Sequence, residues 1–148
     1  VSALSTLLTA PAASLDERGR FLRFLAAGGS AAALNWLCGR LYGLAMPFEI
    51  AVVAAYLTGS VWAFCWFRAW AFAPSDKPLT AEIAGFAGVN VIAMALVWLV
   101  STGLARLVFP ALGWTFYPEA IAHGVGIAVP ILSSWIGHKK VTFAKTGP

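Results

Sequence analysis

Charge is what this chain has least of. Only 10 of its 148 residues are lysine or arginine and 6 are aspartate or glutamate, while 60% are hydrophobic. A globule of this size cannot keep that much apolar surface from water, so a soluble domain is excluded and the bilayer is the expected solvent. The scarce acids also avoid the middle of the apolar runs. Glu49, Glu82 and Glu119 fall at run ends, which argues against an ion-coupled exporter of small molecules, since that chemistry needs a carboxylate deep in a helix. Two cysteines and two histidines show no metal-ligand spacing, and no nucleophile, base or carboxylate pair shares a common pocket, so the chain is read as a non-enzyme without metal or cofactor. Cys38 and Cys65 are expected in different halves of neighbouring spans, roughly 20 Å apart at the helical rise, which is too far for a bridge. Val1 to Leu15 contain no basic residue and make a poor secretory signal; residues 1–19 are read as an N-terminal tail or a short interfacial helix.

What remains is long apolar runs, and charge and turn residues divide them into four spans, at about 24–44, 48–67, 83–108 and 120–137. Met46-Pro47, Pro74 through Pro78, and Pro110 through Pro118 separate them. Continuous runs without strict alternation predict helices, so the fold class is all-α, an integral membrane protein of four transmembrane helices. Arg18, Arg20, Arg23, Arg68, Lys77, Lys139, Lys140 and Lys145 share one expected face, leaving Arg40 and Arg106 for the other. The positive-inside rule then puts both termini and the middle loop in the cytoplasm. The pI near 9.4 reflects a basic rim facing acidic lipid, and no nucleic-acid motif accompanies it.

Within the spans, small residues at spacing four allow close helix approach. Ala51, Ala55, Gly59 and Ala63 form such a row in the second span, a candidate seam between subunits, and Gly28, Ala31, Ala32, Asn35 and Gly39 form another in the first. Asn35 and Asn90 each need hydrogen-bond partners in a dry setting, either across helices or from a polar ligand. In the fourth span His123, Gly126, Pro130, Ser133 or Ser134, and Gly137 make a polar, flexible stripe; Pro130 is expected to kink the helix. His123 is a candidate for proton coupling or for a plain interfacial hydrogen bond.

The halves can be overlaid with Arg68 opposite Lys139 and Phe72 opposite Phe143, while Arg40 precedes Glu49 and Arg106 precedes Glu119 across the two outer loops, as candidate outer-face ion pairs. Both hairpins start on one side, so the repeat is parallel, about an axis along the membrane normal.

The stretch RFLAAGGSAAALNWL, residues 23–37, and the segment from Trp62 to Phe72 resemble the GtrA-like family of small four-helix membrane proteins. The family's hairpin ending, Asn-Phe-x-x-Asn-Arg-x-Trp-x-Phe, is matched at Phe64, Arg68, Trp70 and Phe72, and in the second copy through Trp135, Lys139 and Phe143. Ala63, Phe67 and Val141 depart from it. The resemblance covers residues 20–145. It implies translocation of a polyprenyl-phosphate-linked monosaccharide from the cytoplasmic to the outer face of the bacterial inner membrane, for polysaccharide or envelope glycosylation. On that implication Arg68, with its planar fork, is the first candidate for the phosphate, joined by Lys139, Lys140, Arg23 and His138. Trp66, Trp70, Asn35, Asn90, Ser133 and Ser134 are candidates along the headgroup route. Four spans enclose little, so a homo-oligomer or a glycosyltransferase partner is expected; the rival reading is a non-transporting scaffold for such an enzyme.

Overall fold

The computed structural model describes residues 3–142. Phe143 and Lys145, used above for the repeat and the basic rim, lie outside the described residues. Every regular element among those described is helical. A short α1 (Ala3–Thr9) precedes α2 (Glu17–Tyr42); α3 (Phe48–Trp66) runs into a π turn at Phe67–Ala71. α4 (Leu79–Gly103) continues through a π turn at Leu104–Val108 into α5 (Phe109–Ala111), and α6 (Pro118–Ala128) and α7 (Ile131–Gly137) end in a third π turn at His138–Thr142. Four continuous stretches are long and apolar enough to cross a membrane: Glu17–Tyr42, Phe48–Ala71, Leu79–Ala111 and Pro118–Thr142. The first starts earlier than expected, the second ends later, and the third and fourth run past the expected spans at both ends, because residues expected to form an interfacial collar remain helical.

The helix starts follow local chemistry. The Asp16 carboxylate accepts a 2.7 Å hydrogen bond from the Gly19 amide at the head of α2. Pro47 and Pro78 precede α3 and α4, and Pro118 opens α6, where a missing N–H costs nothing. Glu17, Glu49, Glu82 and Glu119 each occupy the first turn of a spanning stretch, where the helix dipole favours negative charge. Pro130 cannot donate to the carbonyl of Gly126, and the fourth stretch divides there into α6 and α7.

Small residues close both hairpins. Ala51, Ala55, Gly59 and Ala63 are all buried, and a Cβ added at Gly59 would lie 2.9 Å from the Ala31 carbonyl oxygen and from Asn35 Cβ. The α3 stripe is therefore used against α2 of its own chain; the expectation that it joins subunits is corrected, since a close backbone approach leaves no room for a second helix. In the other hairpin Gly126 meets Ser101 and Gly137 meets Val89. Outward faces carry exposed Leu37, Leu57, Val61, Ile92 and Leu99, as lipid contact requires.

One end of the bundle is filled with rings. Phe24 lies 4.9 Å from Phe67 and 5.1 Å from Trp135, and Phe86 stacks on His138 at 4.7 Å, ring centre to ring centre. These contacts join the start of α2, the starts and ends of the neighbouring stretches and both terminal π turns, so Arg68 and Lys139 belong to the same end.

Candidate functional site

Each spanning stretch ends near a cation, and three of the four ends wind into a π turn, which carries an extra residue per turn and is often found at functional positions. The three turns contain Arg68, Arg106 and Lys139. Each of these reaches a first-turn glutamate of a different stretch: Arg68 Nε donates to Glu82 Oε2 at 2.7 Å, Lys139 pairs with Glu17, and Arg106 donates to Glu49 at 2.7 Å and to Glu119 at 2.9 Å. All four glutamates of the sequence are thereby paired. The expected Arg40–Glu49 pair is not formed; Glu49 is taken by Arg106, because the π turn swings that guanidinium between α3 and α6. Arg106 also lies over the Phe48 ring, 5.5 Å from its centre.

At the Arg68 end the predicted phosphate residues separate into two kinds. Arg23 is buried, and its nitrogens are spent on carbonyl oxygens: Nε on Leu7 at 2.6 Å, Nη1 on Trp70 at 3.0 Å and Nη2 on Ala10 at 2.5 Å. His138 is buried among Phe67 and Phe86, with Nδ1 3.1 Å from the Thr142 hydroxyl. Neither faces the rim, contrary to expectation, because the aromatic core and α1 enclose them. Arg68 differs: its side chain is 53% exposed while Glu82 is 4% exposed, so a buried carboxylate holds Nε while about half of the side chain stays open to solvent. Lys140 is exposed on the His138–Thr142 turn. Trp70 donates to the Leu8 carbonyl at 3.0 Å and its ring meets Trp66, which meets Trp62 in turn. Residues 3–14, expected as a tail or interfacial helix, are thus a strap tied down by Arg23 and Trp70.

Between the helices lies a cavity of about 340 Å³, lined by Asn35, Tyr56, Ser60, Asn90, Ser134 and His138 among apolar side chains. That is within the roughly 300–1,000 Å³ of small-molecule sites. Asn90 is satisfied: its Oδ1 accepts from the Tyr56 hydroxyl at 2.9 Å and Ser60 at 3.2 Å, and its Nδ2 donates to the Phe86 carbonyl at 2.8 Å. Asn35 is buried with Oδ1 bonded to nothing among the described residues. The two asparagines, alike in sequence, therefore do different things. Ser133 bonds back to the Pro130 carbonyl at 3.1 Å, whereas Ser134 lines the cavity. The lining residues that reach the surface, Leu25 and Gly29 of α2 and Ala128 and Ile131 on either side of Pro130, mark its opening toward lipid. Tyr56, Ser60 and the paired glutamates Glu17 and Glu82 were not singled out as site residues from sequence. The recurrence of one glutamate at the head of every span was the available signal.

At the opposite end a bowl of about 430 Å³ is lined by Arg40, Arg106, Thr115, Phe116, Tyr117 and Glu119.

No curated protein and no solved structure matches the chain significantly. The profile of the GtrA/DPMS transmembrane domain matches residues 23–111, three of the four spanning stretches together with Arg68, Glu82 and the Arg106 turn. With that match over more than half its length, and four membrane-crossing helices to carry it, this multi-pass membrane protein belongs to the GtrA/DPMS transmembrane domain family.

Proposed function

We propose that the chain translocates a polyprenyl-phosphate-linked monosaccharide across the bacterial inner membrane, with the Arg68 end in the cytoplasm and both termini there. Membership of the family ties it to membrane-associated sugar-lipid processes; the finer reading is carried by the buried, unbonded Asn35 oxygen in a side-opening cavity. An unpaired amide oxygen in an apolar wall costs about 1–3 kcal/mol, and a sugar hydroxyl passing through would satisfy it. The half-exposed Arg68 supplies the docking charge: Glu82 fixes one edge of its fork, and the remaining donors suit the oxygens of a phosphate. Lys140, exposed and with no ion pair among the described residues, adds positive charge at the same end, while Lys139 is held by Glu17. The prenyl chain stays in lipid at the opening flanking Pro130, while Ser134 and the Tyr56–Asn90 pair line the headgroup's path.

Catalysis, metal and cofactor play no part in this reading. A homo-oligomer, or a glycosyltransferase that takes up the delivered lipid, completes the enclosure that four helices provide only in part. Reconstitution tests it: the purified chain in vesicles moves a labelled polyprenyl-phosphate sugar to the side probed by an impermeant reagent, and Arg68→Gln abolishes the transfer while the protein still folds. Unchanged transfer by Arg68→Gln removes that residue from the site. Transfer that requires an added glycosyltransferase assigns the scaffold role instead.

A further inference from the structure

The ion pairs leave one helix end out. α2 ends as a regular helix, without a π turn, and its last-turn cation Arg40 has no ion-pair partner among the described residues. Both glutamates at that end are already held by Arg106. Arg40 instead lines the bowl of about 430 Å³, opposite Phe116 and Tyr117. These two rings meet edge to face at 4.9 Å and are 67% and 61% exposed. Tyr117 has φ +39°, and no other non-glycine residue among those described has positive φ. A bulky residue is rarely held in that region, and such strain concentrates at ligand sites.

We infer that this bowl is a second binding site, for a phosphate ester bearing a sugar: Arg40 takes the phosphate, the Phe116–Tyr117 rings take the apolar face of the sugar, and Thr115 and Glu119 offer bonds to its hydroxyls. Arg106, held by two carboxylates, is part of a triad of net charge −1 that sets the wall, so Arg40 is the cation left to take the anion. The inference rests on the transport reading, and the bowl is then where the headgroup arrives after leaving the cavity.

The test uses the full chain in nanodiscs, with Cys38→Ala, Cys65→Ala and Thr115→Cys, and follows the rate at which a charged maleimide labels position 115. A short-chain prenyl phosphoglucose is expected to slow labelling roughly tenfold, the effect of one charge-assisted contact. Arg40→Gln abolishes that protection and Arg40→Lys retains part of it. Tyr117→Gly, which relieves the positive φ, weakens protection by the phosphoglucose but not by the prenyl phosphate without sugar. Equal protection by inorganic phosphate keeps the anion site and assigns it to free phosphate. If the phosphoglucose binds in an Arg68-dependent manner yet leaves position 115 unprotected, or protects equally in Arg40→Gln, the second site is overturned and the transport reading survives. If it binds at neither end, both fail.

Discussion

The two ends of this bundle hold their cations by different means. At the Arg68 end each cation has its own arrangement: Arg23 is buried on three carbonyls, Arg68 shares one edge with Glu82, and Lys139 meets Glu17. At the other end a single guanidinium, Arg106, serves Glu49 and Glu119 together, and Arg40 is left over. The difference teaches that position in the chain does not set a cation's availability. Arg23 and Arg68 both sit at the same rim by sequence, yet one is a structural pin and the other keeps free donors. Arg40 and Arg106 both sit near the end opposite Arg68, yet Arg106 holds two carboxylates and Arg40 holds none among the described residues.

The largest expected effect breaks the frame on which both ends depend. Gly59→Leu has to push apart the Ala31 carbonyl and Asn35 across the α2–α3 seam, and overpacking of this kind costs about 3 kcal/mol or more; unfolding in detergent should occur at a much lower denaturant concentration than for the parent protein. Next is Arg23→Met. Its loss strands three carbonyls and loosens α1, a cost of about 2–3 kcal/mol, visible as faster proteolysis within residues 3–14. Arg68→Gln should leave that proteolysis unchanged, because the strap is bonded by Arg23 and Trp70 and not by Arg68. If Arg68→Gln exposes the strap as much as Arg23→Met does, the division between pin and docking residue is wrong.

The asparagines sharpen the same contrast inside the bundle. Asn90→Ala removes three hydrogen bonds and should destabilise by about 1–2 kcal/mol. Asn35→Ala loses none through Oδ1 and is expected to cost far less stability while slowing lipid-sugar transfer. A stability loss for Asn35→Ala equal to that of Asn90→Ala would make both mere packing groups. The smallest effect separates Arg40 from Arg106. Arg106→Gln frees two partly exposed carboxylates and should cost about 1 kcal/mol or less after solvent screening, whereas Arg40→Gln should leave the unfolding midpoint where it was.

Much of the frame was readable before any coordinates. The four spans, their proline-marked starts and the presence of small-residue rows follow from chain-local rules, whereas the packing of the α3 row on α2 of its own chain does not. The ends ran longer than read because Arg20, Arg68 and Lys139 stay helical past the apolar stretch. The partners of the charged residues were not legible. Three π turns, each adding a residue to one turn, rotate Arg68, Arg106 and Lys139 toward glutamates on other helices, and no periodicity in the sequence announces such a turn. Two of the three carbonyls that enclose Arg23, those of Leu7 and Ala10, come from α1 and the residue after it, a segment whose composition suggested only a tail or an interfacial helix.

By itself the sequence determined that this chain lives in a bilayer as four helices, since apolar run length and the need to satisfy every backbone group in lipid leave no other fold. It also determined that each spanning stretch carries a glutamate near its start, and that one end is rich in rings and cations. Only the tertiary structure decided which cation is pinned, which is paired and which is free. Helix rotation, π-turn geometry and the docking of α1 set those distances, and a few ångströms separate a guanidinium locked among carbonyls from one open to an anion.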